Sequence, residues 1–109
     1  MVLIRRCLMR LRAERNYRRA VSMADEAFAD TGQRQYVIRG YKSGRRVLIV
    51  TDKRHFKKMK RDGLMKEKYM TSDMARLCYY HTDYLVGGGK MDADVRKMRK
   101  SMCIDWLMG

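Results

Sequence analysis

The chain has 109 residues, which suits one domain that buries roughly two-thirds of the surface its unfolded form exposes. Hydrophobic residues make up 46% of it, a globular proportion, while 26 Lys/Arg against 12 Asp/Glu leave a net charge of +14. This composition argues against an intrinsically disordered chain, and the lack of an apolar run of about 18 residues argues against a membrane span. The three widely spaced cysteines lack a CxxC motif, which argues against a disulfide scaffold and indicates a reducing compartment, so we expect a cytoplasmic protein.

The first predicted element is a helix over residues 3–30. Apolar residues at three- and four-residue steps share one face of it: Tyr17, Ala20, Val21, Ala24 and Phe28. The sequence Asp30-Thr31-Gly32 is expected to end this helix, because glycine readily takes the left-handed conformation after a last turn.

Seven arginines lie in the first two-thirds of this helix: Arg5, Arg6, Arg10, Arg12, Arg15, Arg18 and Arg19. Because the helix dipole favours acids early and bases late, they indicate either a binding role or side chains that stay solvated over the core. They also make the start of the chain a poor signal peptide. The apolar residues between positions 3 and 11 cover more than one face, so this end is expected to pack in a second direction or onto a partner.

A β-hairpin is predicted next, with Ser43-Gly44 as its two-residue turn. That turn sets a register in which the facing pairs are Lys42 with Arg45, Tyr41 with Arg46, Ile38 with Ile49, and Val37 with Val50. The expected tip is entirely cationic: Arg39, Lys42, Arg45 and Arg46. Tyr41 at this tip is the candidate for stacking on a base, whereas Tyr36 shares a face with Ile38 and is expected in the core.

Thr51-Asp52 is typical of a helix N-cap and predicts a helix over Lys53–Arg61 that ends at Gly63. Phe56, with Met59 or Lys60, gives this helix one apolar side, and cations crowd its other sides. Residues 34–68 contain thirteen Lys/Arg and three acids, so +10 of the net +14 lies in this stretch.

The remaining sequence predicts shorter elements. Residues 64–70 are a candidate third strand, and a helix is expected from Thr71 or Ser72 to near Thr82. Its apolar side would hold Met74, Leu77 and Cys78. Gly87-Gly88-Gly89 predicts a loop. Asp92 is then expected to cap a last helix with one apolar stripe: Val95, Met98, Met102 and Trp106.

Residues 1–109 are therefore predicted to form a single α+β domain, with a long N-terminal helix, a hairpin and two to three short helices. We expect it to have no enzymatic activity, metal or cofactor. Cys78 and His81 have zinc-ligand spacing, but a zinc site needs three or four ligands and the other candidates lack supporting spacing. The triple glycine lacks the Lys-Ser/Thr of a phosphate-binding loop.

Clustered positive charge makes nucleic acid, DNA or RNA, the expected partner. The residues expected to contact it are Arg39, Tyr41, Lys42, Arg45, Arg46, Arg54, Lys57, Lys58 and Arg61. The alternative is a small interaction or inhibitor protein, of the accessory kind that phages and mobile elements encode. It would dock on an acidic protein surface or a nucleoprotein complex, with the N-terminal helix as a contact. A helix lying on an anionic membrane is disfavoured by Glu14 and the acidic end of the first helix. No motif identifies a family.

Overall fold

A computed structural model describes residues 2–61, 74–82 and 91–109 of the chain. Its elements, in chain order, are α1 (Val2–Thr31), β1 (Tyr36–Lys42), β2 (Arg45–Thr51), α2 (Lys53–Arg61), α3 (Met74–Leu77), β3 (Tyr80–His81) and α4 (Ala93–Met108). The predicted α+β class is confirmed. No helix within the described ranges is long and apolar enough to cross a membrane. The predictions for Gly63, residues 64–70 and the triple glycine lie outside the described residues.

The long first helix is confirmed and extends one residue beyond each predicted end. It ends at Gly32, whose φ of 71° is left-handed and whose amide donates to the Phe28 carbonyl at 2.8 Å. Glycine adopts this conformation without the Cβ clash that other residues meet. Of the predicted apolar face, Phe28 is half-buried and the other four residues are buried.

The predicted hairpin register is confirmed at every pair, from Lys42 opposite Arg45 to Val37 opposite Val50. Ser43 and Gly44 have φ values of 52° and 76°, so both turn residues are left-handed, as in a type I′ turn. Such a turn matches the right-handed twist of the two strands. The dipeptide Ser43-Gly44 is therefore sufficient to determine the register of β1 with β2.

The segment predicted as a helix up to Thr82 is wrong in its second half. Only Met74–Leu77 is helical, and Tyr80–His81 form β3, which pairs antiparallel with β1 in a sheet of order β2-β1-β3. Two further backbone bonds extend this edge, from the Tyr79 amide to the Val37 carbonyl at 2.8 Å and from the Thr82 amide to the Gln35 carbonyl at 3.0 Å. The free edge of β1 satisfies these backbone groups, so tertiary pairing outweighs the local helical pattern.

The sheet is covered on both faces. On one face Val37, Leu48 and Val50 pack with α1 and α4 around buried Ala24 and Cys103. On the other face Tyr36, which is 1% exposed, packs with residues of α2 and α3, with Cys78 just after α3, and with the sheet's own apolar side chains. Ile38, Ile49, Phe56 and Met74 complete this cluster. Tyr36 is therefore a core residue, as predicted.

The last helix begins as predicted but buries a different face. Asp92 caps it, because its carboxylate accepts from the Asp94 and Val95 amides. Two members of the predicted apolar stripe point to solvent, with Met98 56% and Met102 52% exposed. The buried residues are Cys103 and Ile104, since α4 packs against α1 as well as against the sheet and therefore turns its contact surface away from the stripe.

Candidate nucleic-acid interface

The outer side of α2 carries four cations that point away from the sheet. Successive helical residues lie about 100° apart, so these four fall within one sector about 100° wide: Arg54, Lys57, Lys58 and Arg61. All four are exposed, whereas Phe56 on the opposite side is 1% exposed and packs against Ile38 and Ile49. We call this set of four residues the α2 face.

The N-terminus of α2 is closed by Asp52, as predicted. Its Oδ1 accepts from the His55 amide at 2.8 Å and lies 2.9 Å from the His55 ring Nδ1. Burial works to raise the pKa of Asp52, but the hydrogen bonds from His55 outweigh it and hold the pKa below the usual 3.8. The carboxylate is therefore ionised at neutral pH and stabilises the first turn of α2.

No acid in the described part of the chain neutralises the charge of the α2 face. Within the described parts of the chain, none of its four side chains forms an ion pair. Each pair of like charges three or four residues apart destabilises a helix by about 0.2–0.5 kcal/mol. Burial of Phe56, worth roughly 2 kcal/mol, and the Asp52 cap, worth about 1 kcal/mol, offset that repulsion. The fold therefore keeps a concentrated positive surface despite the repulsion between its like charges.

Lys42 and Arg45 flank the hairpin turn and face each other across it. Both are exposed. Because side chains alternate along a strand, they project to the same side of the sheet as Ile38 and Ile49, the side that α2 covers. These two residues, the turn pair, therefore share a sheet face with the helix that carries the α2 face.

Arg39 does not lie at the hairpin tip, which corrects the prediction for this residue. It pairs with Leu48 in the middle of the hairpin and is half-buried. Its guanidinium carbon lies 5.6 Å from the ring centroids of both Tyr79 and Trp106. A cation held between two aromatic rings is stabilised by their quadrupoles, and Arg39 therefore serves the packing of this sheet face.

Tyr41 and Arg46 also gather around Trp106. The Tyr41 and Trp106 rings meet edge to face, with centroids 6.0 Å apart and planes at 82°. Arg46 lies over the same indole at 5.5 Å and donates from Nη1 to the Trp106 carbonyl at 2.7 Å. That carbonyl belongs to the last turn of α4, where the helix dipole favours a cation. Tyr41 is half-buried in this arrangement rather than presented at the tip as a stacking platform.

The predicted site residues therefore divide between the two faces of the sheet. The turn pair and the α2 face share one face, while Arg39, Tyr41 and Arg46 lie on the other, held around Trp106. The sequence did not predict that Arg39, Tyr41 and Arg46 pack around Trp106. Trp106 lies about 60 residues after the hairpin, and no local pattern links the two.

The structure also brings together four cations that no sequence pattern groups: Arg18 of α1 with Arg96, Lys97 and Lys100 of α4. They line a groove between the two helices. Each helix shows its own charges in the sequence, but only their packing side by side makes a single surface of them.

Cys78 and His81, the pair with zinc-ligand spacing, are both engaged with arginines. Burial raises the pKa of the Cys78 thiol, and Arg99 donates to its Sγ at 3.4 Å. The His81 Nδ1 lies 2.9 Å from the Arg34 Nη2. Across residues 2–61, 74–82 and 91–109, no group of three or more His, Cys, Asp or Glu side chains is arranged to hold a metal ion.

Comparison with known proteins adds no relative: no family model, no curated protein and no solved structure matches this chain. Function must therefore be argued from the surfaces themselves.

Proposed function

We propose that this protein is a non-enzymatic nucleic-acid-binding module that contacts the phosphate backbone through the α2 face and the turn pair. The observation that carries the proposal is the α2 face, four exposed cations on a helix whose opposite side is anchored by buried Phe56. Lysine and arginine in such a cluster bind phosphates irrespective of base sequence. The expected compartment is the cytoplasm.

The dimensions of the α2 face suit a phosphate backbone. Arg54 and Arg61 are seven residues apart, which is about 10.5 Å along the helix axis. Duplex DNA carries one charge per about 1.7 Å of its axis when both strands are counted, so this length spans about three phosphates on each strand. Since Tyr41 packs against Trp106, the proposal depends on backbone contacts and not on base stacking.

The test is binding to single- and double-stranded DNA and RNA of one length, measured by fluorescence anisotropy at low and moderate salt. We expect the variant K57E/K58E/R61E to lose most of the affinity of the natural chain while retaining its thermal midpoint, since all three residues are exposed. Normal binding by this variant would refute the assignment of the surface.

A matched control reverses three exposed arginines at the other end of α1, in the variant R5E/R6E/R12E. Lys58 lines a hollow with Ala27 near the end of α1, and Arg12 lies 15 residues, or about 22 Å, before Ala27. The control has the same net charge as the α2 variant, so an equal loss in both would mean that total charge, and not the α2 face, determines binding.

A second candidate function, an interaction or inhibitor protein, is favoured by the exposed start of α1. From Ile4 onward, Ala13 is the first buried residue of this helix, and before it Ile4, Leu8 and Leu11 are 63%, 51% and 55% exposed. These three, the N-terminal ridge, lie within about 60° of one another on the side opposite Ala13, so the core cannot cover them. An apolar ridge flanked by Arg5, Arg12 and Arg15 suits an apolar groove bordered by carboxylates on another protein.

This second function is tested with the variant L8S/L11S in affinity capture from cells that express the tagged protein. We expect nucleic-acid binding to be unchanged and the partner to be lost, because the substituted side chains do not contact the core. Capture of the same partner by both proteins would refute a role for the ridge. Sedimentation with anionic liposomes that depends on the ridge would assign it to a membrane surface instead.

A further inference from the structure

The groove between α1 and α4 has a volume of about 680 Å³, within the range of small-ligand sites. Arg18 forms one side of it and Arg96, Lys97 and Lys100 form the other, while Tyr17 and Val21 lie among its lining residues. No carboxylate is among the described residues that line it. The groove lies on the face of the sheet that α1 and α4 cover, opposite the face covered by α2.

Aromatic rings position two of these cations without removing their charge. The Arg96 guanidinium carbon lies 5.0 Å from the Tyr80 ring centroid, and the Lys100 Nζ lies 5.8 Å from that of Tyr17. Tyr80 is itself held in place, because its hydroxyl donates to the Asp25 carboxylate at 2.7 Å. A cation over a ring keeps its donors available on the side away from the ring.

Tyr17 supplies a buried donor whose hydrogen meets no acceptor among the described residues. The residue is 3% exposed, and its hydroxyl lies close to the Arg96 guanidinium, which carries only donors. Burial raises the pKa of Tyr17, although the nearby Arg96 guanidinium works to lower it, so the hydroxyl remains protonated at neutral pH. Arginine has no acceptor atom, so Arg96 leaves the hydroxyl hydrogen unsatisfied even where it approaches the oxygen. Buried donors are nearly always paired, and this one belongs to a residue that lines a cationic groove.

We propose that the α1–α4 groove is a phosphate-binding site. Phosphate oxygens accept from the Tyr17 hydroxyl and the Arg96 guanidinium, while Arg18, Lys97 and Lys100 balance the charge of the ligand. Two sources share this chemistry: a free pyrophosphate-containing nucleotide and the backbone of a nucleic-acid strand. The site is independent of the proposed function, which depends on the α2 face.

The experiment titrates the protein with pyrophosphate and, separately, with a single-stranded oligonucleotide, by calorimetry and by amide chemical shifts. We expect pyrophosphate to shift the amides of residues 17–22 and 93–100 and to leave those of residues 53–61 in place. Variant Y17F should bind pyrophosphate about tenfold more weakly, the effect of losing one hydrogen bond to a charged group. Its thermal midpoint should not fall, because the substitution removes only an unsatisfied hydroxyl.

Two matched double variants separate this site from the α2 face. R18Q/K97Q removes two groove cations, and R54Q/K57Q removes two cations from the α2 face. We expect only R18Q/K97Q to weaken pyrophosphate binding. If the oligonucleotide alone binds and R18Q/K97Q abolishes its groove shifts, the site stands with a nucleic-acid backbone as its source.

Equal pyrophosphate binding by R18Q/K97Q and R54Q/K57Q would overturn the site, because the interaction would then follow total charge. A second result would also overturn the groove site: the natural chain does not bind pyrophosphate, and only R54Q/K57Q loses oligonucleotide binding. That result would leave the proposed function intact. Conversely, groove binding that persists when no nucleic acid binds to the α2 face would refute the proposed function alone.

Discussion

Neutralising half of the proposed interface should halve the salt dependence of nucleic-acid binding. The α2 face and the turn pair together offer six cations to phosphates: Lys42, Arg45, Arg54, Lys57, Lys58 and Arg61. Each contact with duplex DNA contributes about −0.9 to the slope of log affinity against log salt, so six predict about −5.4. The variant K57Q/K58Q/R61Q leaves three contacts and predicts a slope of about −2.7.

These slopes are far enough apart to measure. Between 50 and 200 mM salt the natural chain should lose roughly 2,000-fold in affinity, whereas the variant should lose roughly 40-fold. Anisotropy titrations of a labelled duplex at several salt concentrations give both numbers. The control R5Q/R6Q/R12Q removes equal charge from the exposed start of α1 and should keep the slope of the natural chain.

An unchanged slope in K57Q/K58Q/R61Q would refute the reasoning, because it would mean that these side chains release no counterions on binding. An equal fall in both variants would refute it too, since binding would then reflect the net charge of +14 and not a particular surface.

Three further predictions concern the stability and chemistry of the fold. Gly40→Ala should destabilise it by about 1–2 kcal/mol in urea unfolding, because the added Cβ would lie 2.7 Å from Cγ1 of Ile49; an unchanged midpoint would show that this side chain moves freely. The folded-state pKa of Asp52 is lowered, so its stabilisation is complete above the unfolded value of 3.8 and is lost as pH falls through the folded value; Asp52→Asn should remove this part of the acid dependence. In a thiol assay on the native protein, exposed Cys7 should react, whereas Cys103, whose pKa burial raises to about 12, should react only after unfolding; early reaction of both would contradict this burial.

Local patterns were sufficient wherever a residue's neighbours along the chain determine its conformation. Ser43 and Gly44 determined the hairpin register, because a two-residue turn leaves a single way to pair the strands. The Asp52 cap and the single aromatic of α2 predicted both the helix and the side that it exposes. Gly32 ended α1 for the same reason, since its backbone preference acts at one position.

Non-local contacts account for the predictions that were wrong. The helical spacing of Met74, Leu77 and Cys78 predicted a helix to near Thr82, yet Tyr80–His81 pair with the edge of β1 because that edge has backbone groups to satisfy. The stripe through Met98 faces solvent because α4 packs against α1 and the sheet together, which a single helical period does not reveal. The Arg39 guanidinium was expected to be presented to a ligand, but it packs over the rings of Tyr79 and Trp106, which lie far along the chain.

The sequence by itself determined the fold class, the hairpin register, the bounds of the first two helices and the concentration of charge between residues 34 and 68. Only the tertiary structure decided which of those charges are available: Lys42 and those of the α2 face are exposed, whereas Arg39 is half-buried against Trp106 and exposed Arg46 donates to the end of α4. The tertiary structure also assembled the α1–α4 groove from residues about 80 positions apart. The physical reason is that turn and helix preferences act over a few residues, whereas the availability of a side chain depends on which distant element packs beside it.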